Sequence, residues 1–407
     1  MHNLHTKNTV RYYLLLAFLV IFLFFSNDFG LTDVQKTAIV VAVGIDKDEE
    51  DFVLTSQIAI PQSSKQNQAS EVVQLVSRGK TIGEAFEEIN TKTGWYPKLV
   101  FCNLIILGES AAKENVFDSL DFFLRDEYLT DNCLVATCDG LAKEILDTTS
   151  LVEQSSSTAI QKVLSEHAKR VGTVLPNTLK DFSIGYFSDS KSAYLPILKK
   201  EPQQEPTTEA SPTASSGGGN DSSGGQKNSS GGKSAEKEKP VFSAGETALF
   251  VDGKWVERLQ TEETFALGAV LNPLRLASYS VEQEGDTCTL TIKQNSPKIS
   301  LKASEKFPFT LEISVTMSAG ILDFSKAQPL NEISDAGDVP SGYFALAEKK
   351  LAGEIATVFE KCKGVECDLF GVRERLVKYE KKKWENVQST ALQNTRAEIN
   401  VRFRNIR

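Results

Sequence analysis

The sequence predicts a multi-domain α+β fold, in which antiparallel sheets are covered by helices and follow one N-terminal membrane segment. Three observations predict it. Short runs with strand and helix periodicity alternate along the chain. A stretch rich in Pro, Gly and Ser interrupts them between residues 199 and 240. One long uncharged apolar run lies near the start, beginning at Tyr12 and ending at Phe25. Together they predict folded regions outside a membrane.

The apolar run is typical of an export signal. Lys7 and Arg11 precede it and no acid occurs before Asp28, which leaves the cationic end in the cytoplasm. As a helix it would span about 21 Å, less than the ~30 Å hydrocarbon core. The residues that follow the run contain no Ala-x-Ala-like cleavage site. A lipoprotein signal would need a cysteine directly after the run, and the first cysteine is Cys102. This favours an uncleaved signal anchor over residues 1–30, with a cleaved signal peptide left open.

Composition limits the classes of function. The 407 residues suit two or three domains, and the net charge of −9 argues against a nucleic-acid partner. Residues 368–407 contain ten Lys or Arg and five Asp or Glu, a net charge of +5, so the rest of the chain carries −14. A basic end on an acidic protein can contact anionic membrane lipid, although a solvated helix face is the commoner cause.

The cysteines and histidines do not indicate a metal site. Zinc sites use tighter Cys-x-x-Cys pairs with further ligands, and His167 is the only histidine after the apolar run. Export allows disulfides, but Cys102 and Cys133 lie in strand-like apolar segments, where a buried free thiol is the commoner state. The disulfide state of the two close pairs stays open. The six cysteines are the pairs Cys133/Cys138 and Cys362/Cys367, and the single residues Cys102 and Cys288.

The first folded region, residues 31–198, is predicted to begin with a hairpin of strands 38–44 and 52–60. The acidic turn between them resembles the start of a calcium loop. Asp51 and Gln57 occupy positions where such a loop needs Gly and Glu, so we predict a turn. The further elements predicted here are strands 72–77, 99–107 and 133–137, and helices 81–94, 116–124, 141–146 and 158–170.

A disordered linker, residues 199–240, is predicted before the second folded region, because it has too few apolar residues to offset its ordering entropy. Residues 241–407 form that second region, with 241–295 as a possible separate subdomain. Asp252-Gly253 predicts a hairpin turn. The other elements predicted here are helices 261–271, 344–363 and 369–386, and strands 287–292, 298–302, 309–317 and 396–404.

Strand 309–317 alternates cleanly between apolar and polar residues. This pattern predicts a sheet with one buried face and one solvated or partner-facing side. The apolar side is formed by Phe309, Leu311, Ile313, Val315 and Met317, and the polar side by Thr310, Glu312, Ser314 and Thr316.

No catalytic motif is present in the sequence. It lacks Gly-x-Ser-x-Gly, His-Glu-x-x-His, a phosphate loop and a dinucleotide fingerprint. Acid/base chemistry by histidine would rest on His167 alone, and a lone histidine at the edge of an apolar stripe is usually structural. We therefore expect no enzyme, no cofactor and no metal, but a binding or assembly module. An exported hydrolase is the less favoured alternative.

The motifs, taken in order, resemble the Ger(x)C family, the C subunit of nutrient germinant receptors in endospore-forming Firmicutes. Each motif alone is weak, but their order and spacing cover nearly the whole chain outside the linker. The matching segments are residues 38–47, which contain Gly44-Ile45-Asp46, then Gly79–Ile82, Phe122–Asp126, Ala142–Leu146, Glu262–Thr264, Cys367-Asp368-Leu369-Phe370-Gly371 with the Trp384 helix, and Glu398–Arg404.

The resemblance implies a non-catalytic protein on the outer face of the spore's inner membrane. It would act in spore germination with membrane-embedded A- and B-type subunits, and we do not expect it to bind the nutrient directly. The alternative is an anchored envelope protein in signal relay that kept the fold without the germination role. This chain departs from the family in lacking the lipobox cysteine and in its long linker, so the apolar run would replace the lipid anchor.

The sequence does not identify the surface that meets the partner subunits. Two candidates are the residues Arg125 and Asp126, and the polar side of strand 309–317. The simpler interpretation of Arg125 and Asp126 is a helix-end cap with a local salt bridge.

Overall fold

The computed structural model describes residues 2–25, 37–59, 72–148, 153, 155–201, 240–283, 285–302, 307–326, 339 and 341–406. Within these ranges the chain forms two β-sheets, each packed against helices. The elements up to residue 201 are α1 (His2–Phe25), β1 (Thr37–Asp48), β2 (Asp51–Ala59), β3 (Val72–Gly79), α2 (Ile82–Thr93), β4 (Tyr96–Lys98), β5 (Leu104–Leu107), α3 (Glu109–Lys113), α4 (Phe117–Arg125), β6 (Leu134–Cys138), α5 (Ala142–Leu146), α6 (Ser156–Val163), α7 (Glu166–Val171), β7 (Asn177–Thr178), α8 (Leu179–Phe187) and β8 (Ser192–Glu201).

The second group of elements follows residue 239. In chain order these are β9 (Val241–Val251), β10 (Lys254–Leu259), α9 (Thr261–Leu271), β11 (Ala277–Gln283), β12 (Asp286–Lys302), β13 (Phe309–Phe324), α10 (Ser341–Gly364), α11 (Val372–Tyr379), α12 (Lys381–Val387) and β14 (Thr395–Asn405).

The first sheet has ten strands and is buried on both faces. Its main order is β10-β9-β8-β6-β5-β1-β2-β3, with β4 beside β1 and β7 beside β6. The central strands β1, β5, β6 and β8 are parallel, and the strands at both ends pair antiparallel. Ile105 and Leu107 enter a core with α2, α4 and α8, whereas Leu104 and Ile106 enter a different core with α5 and α6. Because strand side chains alternate between faces, these cores lie on opposite sides of the sheet.

The second sheet is covered on one face. Its order is β11-β12-β13-β14, with β14 parallel to β13. The inner face packs against α9 and α10 through residues such as Phe265 and Leu351. The other face is polar, and its hydrogen bonds to described residues stay within the face. All five apolar residues predicted to point inward from strand 309–317 are buried, with Phe309 at 2% exposure and the others at 1% or less.

The α+β class is confirmed, but the prediction of antiparallel sheets is wrong in part. Both sheets are mixed, because helices connect successive central strands and return the chain in the same direction. The connection from β13 to β14 likewise passes through α10, α11 and α12. Residues 241–259, assigned from the sequence to the second folded region, lie in the first sheet as β9 and β10.

Several element boundaries also differ from those predicted. The helix predicted at 158–170 is two helices, because Ser165 begins a new one by accepting a hydrogen bond from Ala168 N. The helix predicted at 369–386 is likewise α11 and α12. Strands 287–292 and 298–302 are one strand, and strand 99–107 is shortened to β5. The hairpin turn holds: Asp252 and Gly253 have φ of 49° and 78°. Elements α8, β8 and β11 were not predicted.

All six cysteines are free and buried. Cys133 and Cys138 are close in sequence but enter the two different cores of the first sheet, so they do not face each other. The thiol of Cys133 instead lies against Cys102. Their hydrogen bond, together with burial, raises the pKa of Cys133, which keeps this thiol protonated and unreactive.

The predicted linker falls mostly outside the described residues, since only 199–201 and 240 of it are described. Tyr12 and Phe25 both lie in α1. Among the residues that the structure describes, no helix combines the length and the apolar character needed to cross a membrane.

Candidate functional site

The first candidate group is Asp46, at the end of β1. Its side chain is 3% exposed and accepts hydrogen bonds from the backbone N–H groups of Ala142, at 2.7 Å, and Lys143, at 3.0 Å. These amides belong to the first turn of α5, where unpaired N–H groups need acceptors. Burial raises the pKa of Asp46, and the two amides oppose this rise. A Cβ on Gly108 would overlap Asp46 Oδ1, so this close approach requires glycine.

Asp368 plays the same role in the second half of the chain. It is 3% exposed and accepts from the backbone N–H groups of Val372, at 2.9 Å, and Arg373, at 2.6 Å, at the start of α11. Its own N–H donates to Ser192 Oγ at 2.8 Å, and the Arg373 guanidinium donates to Ser190 O at 3.2 Å. These contacts attach the start of α11 to the beginning of β8, at the first sheet.

Both aspartates are therefore helix caps buried in the fold. Each carboxylate uses its two oxygens on backbone amides. An acid or base in catalysis must reach a substrate proton, and these oxygens are withdrawn from solvent. The two motif segments that contain them thus stabilise the arrangement of elements.

The predicted contact residues Arg125 and Asp126 lie at the end of α4. Arg125 Nε donates to Asp121 Oδ2 at 2.7 Å, with both side chains exposed. Asp126 Oδ1 accepts from the backbone N–H groups of Tyr128, at 2.9 Å, and Leu129, at 3.0 Å. The Arg125–Asp121 pair is the local salt bridge of the simpler interpretation. The Asp126 carboxylate instead holds the turn that follows α4, because it accepts N–H groups from residues beyond the helix.

Asp126 also borders an open groove between α4 and α8, which we call the α4/α8 groove. It has a volume of about 300 Å³. Stacking of Phe117 on Tyr186, with ring centroids 3.6 Å apart, joins the two helices at one end. The lining residues are Phe123, Leu124, Asp126, Leu129, Thr130, Asp131, Leu179, Lys180, Ser183, Ile184 and Phe187.

Large apolar side chains are exposed along this groove. Phe187 is 71% exposed, Ile184 59% and Leu124 39%. Neighbouring apolar groups that stay in water are typical of a surface that another molecule covers. The rim is acidic overall, because Asp126 and Asp131 face a single lining base, Lys180, whose Nζ lies 3.7 Å from Asp131 Oδ2. The groove therefore suits an apolar segment with a basic flank.

The described residues do not assemble a metal or histidine site. His167 lies exposed on α7. Among the residues described, no three or more His, Cys, Asp or Glu side chains are grouped closely enough to hold a metal ion.

Sequence reasoning missed the α8 side of the groove. The signal was present: α8 contains Leu179, Phe182, Ile184, Tyr186 and Phe187 within nine residues. That is more apolar residues than one buried stripe needs. Phe182 fills the core while Ile184 remains exposed, so the excess marks a second face.

Comparison with known proteins adds three findings. Residues 31–200 match the family model described as "Spore germination protein N-terminal domain", and residues 245–407 match "Spore germination B3/ GerAC like, C-terminal". A solved structure described as "Crystal Structure of the GerBC protein" is similar with a TM-score of 0.51 and 16% identity. That similarity covers 90% of this chain and 97% of the other, and it shows the fold alone. No curated protein matches the sequence.

Proposed function

The chain belongs to the Ger(x)C family of spore germination proteins, and we propose that it is a non-catalytic subunit of a nutrient germinant receptor. Its two folded regions match the two family models in order. The observation that favours a binding role is the α4/α8 groove, where Ile184 and Phe187 are exposed. The described acids with the deepest burial, Asp46 and Asp368, are occupied as helix caps.

We assign the α4/α8 groove to contact with an A- or B-type membrane subunit. The contacting segment would insert apolar side chains beside Ile184 and Phe187, with a basic residue opposite Asp126 and Asp131. Buried apolar anchors surrounded by polar groups contribute most of the energy of protein interfaces. Arg125, exposed at the same helix end, is paired with Asp121 outside the groove lining.

We further assign membrane attachment to the segment from Tyr12 to Phe25. Its described side chains, residues 11–22, are all exposed, so it makes no core contact that would explain its apolar character. The folded regions would then lie outside the cytoplasm beside the membrane subunits, with lipid as a further partner.

The test is nutrient-triggered germination in a strain that lacks the gene and carries no paralogue. Deletion is expected to impair germination with at least one nutrient and to leave sporulation intact. A chain with Ile184→Glu and Phe187→Glu is expected to behave like the deletion while the protein, at its uncleaved mass, stays in the membrane fraction. Phe101→Glu changes an equally exposed apolar residue, at 56%, outside the groove, and should germinate normally.

The possible outcomes distinguish the receptor role from the assignment of the α4/α8 groove as the partner contact. Normal germination of the deletion strain with every nutrient would reject the receptor role. Impaired germination after deletion, together with normal germination of the groove variant, would reject only the groove as the partner contact.

A further inference from the structure

The polar face of the second sheet has an uneven distribution of charge. This outer face consists of the side chains on β12, β13 and β14 that point away from α10. Its side chains are exposed or half-buried. Cross-strand register places them in rows of three, one from each strand: Gln294, Ser318 and Arg404; Ser296, Thr316 and Arg402; Lys298, Ser314 and Asn400; Ser300, Glu312 and Glu398; Lys302, Thr310 and Arg396.

One end of this face is electrically balanced. Lys302 forms an ion pair with Glu312, and Arg396 pairs with Glu398 at 2.8 Å. Each cation therefore has an acid on the same face. Exposed pairs of this kind are largely neutral to an approaching ligand, because their fields cancel over a few ångströms.

The other end is not balanced, and we call it the cationic end. Lys298, Arg402 and Arg404 are exposed and form no ion pair with any described residue. Their three rows contain no acid. Along β13 the nearest acids are Glu312 on one side and Asp323, which lies beyond Gly320, on the other. The remaining side chains of these rows are hydroxyls and amides, which can donate hydrogen bonds to an anion.

The spacing of these cations suits a surface more than a small ligand. Strands lie about 4.8 Å apart and residues two apart along a strand are about 6.7 Å apart. Lys298 and Arg402, on strands separated by β13, are therefore about 12 Å apart at Cα. The α4/α8 groove does not extend to this face. A flat array of separated cations contacts several anions at once.

We propose that the cationic end rests on the anionic phospholipid headgroups of the membrane. The three rows contain no large apolar side chain that could act as the anchor of a protein interface, whereas headgroup phosphates match cations and hydroxyls. Each Lys or Arg near an anionic bilayer contributes about a fivefold gain in binding. This contact adds to the attachment proposed for the N-terminal segment and is independent of any role in germination.

The experiment measures how close the outer face lies to lipid in the full-length chain. Ser314→Cys places one thiol on the middle strand of the cationic end, in the row of Lys298 and Asn400. Because all six native cysteines are buried, a maleimide fluorophore reacts selectively with the thiol introduced at position 314. The labelled chain is reconstituted in vesicles of phosphatidylcholine alone or with added phosphatidylglycerol, and a headgroup-linked quencher reports proximity.

We expect quenching with phosphatidylglycerol, and its loss at high salt because screening shortens the reach of the surface potential. Lys298→Ala with Arg402→Ala and Arg404→Ala should weaken the contact about 100-fold, from three factors of about five. Quenching then falls to the level of phosphatidylcholine alone. The thermal unfolding temperature should not change, since these are surface substitutions.

Two controls keep the result specific. Lys80→Ala with Lys254→Ala and Lys349→Ala removes the same charge from exposed lysines elsewhere and should leave quenching intact. Arg396→Ala with Glu398→Ala removes a balanced pair on the same face and should do likewise.

Equal quenching in both vesicle types, or equal loss in the distant triple variant, would overturn the proposal, and an acidic protein surface would become the better partner. Flotation with phosphatidylcholine vesicles tests the N-terminal attachment separately. If the chain fails to float there, that attachment is rejected, and recruitment by phosphatidylglycerol vesicles still tests the cationic end.

Discussion

The two sheets of this protein differ in how many of their faces are buried. The first has a core on each side, and the second has a core on one side and a polar face on the other. In the first sheet a deeply buried carboxylate needs partners that satisfy it, as backbone groups do for Asp46. In the second sheet the outer face tolerates charge freely, since water solvates it.

This difference explains why the family motifs do not point to a reaction. The Gly-Ile-Asp and Cys-Asp-Leu-Phe-Gly segments each contain an aspartate that holds elements together inside the fold. The surfaces that we propose for contact, the α4/α8 groove and the outer face of the second sheet, lie away from these segments. Substitutions in the two settings should therefore have separable effects, stability in one and binding in the other.

The largest effect is expected from Asp368→Ala. It removes two charge-assisted hydrogen bonds to the amides of Val372 and Arg373 in a buried site, which should lower the free energy of unfolding by about 3 kcal/mol. Urea-induced unfolding of the full-length chain in detergent measures it. The control is Asp126→Ala, which removes two carboxylate–amide hydrogen bonds from a half-buried surface turn and should cost about 1 kcal/mol or less. Equal costs would show that burial does not set the difference.

A smaller effect is expected from Asp46→Asn in the first sheet. The amide keeps one acceptor oxygen but turns an NH₂ group toward a backbone N–H, either of Ala142 or of Lys143. We expect a loss of about 2 kcal/mol in the same unfolding measurement. Asp48→Asn removes only an exposed ion pair with Arg78 and should change stability by less than about 0.5 kcal/mol. A loss as large as that of Asp46→Asn would mean that the exposed pair matters more than its solvation allows.

The sequence predicted features that depend on neighbouring residues. The alternation in strand 309–317 identified both faces of β13, because side-chain direction in a strand has a period of two residues. The helix starting after Thr81 was equally local: Thr81 Oγ1 accepts from Glu84 N at 3.2 Å, and Gly94 ends the helix with φ of 72°. The helix predicted at 261–271 has these bounds, and Gln260 forms its capping box with Glu263.

Features that join distant segments could not be predicted. Asp46 meets the amide of Ala142, which is 96 residues away, and nothing near Asp46 in sequence indicates that partner. β8 and β9 lie on either side of the Pro- and Gly-rich segment in sequence, and they pair in the same sheet. The composition therefore suggested a boundary between folded regions at a point where one sheet continues. The α4/α8 groove depends on two helices meeting, and of its lining residues the sequence analysis named only Asp126, on the α4 side.

The smallest effect compares the two faces of the second sheet through pH. Glu354 lies on the core side and accepts a hydrogen bond from Tyr279 OH at 2.9 Å. Burial raises its pKa above the ordinary value of 4.5. Glu312 lies on the outer face, where the hydrogen bond from Lys302 lowers its pKa below 4.5. The two glutamates therefore respond to pH in opposite directions.

The direction in which stability changes with pH depends on whether the folded state favours the protonated or the ionised form of each glutamate. For Glu354 the folded state favours the protonated form, so its stabilisation is complete below 4.5 and is lost as pH rises through the folded pKa. Glu354→Gln, which keeps an acceptor for Tyr279, should gain stability relative to the wild type between pH 4 and pH 7. For Glu312 the stabilisation is present above 4.5 and is lost on acidification, so Glu312→Gln should lose stability relative to the wild type over the same interval. Unfolding midpoints in urea across this range measure both. If the two variants shift in the same direction, burial does not distinguish the faces of this sheet, and the outer face is less exposed to water than its position implies.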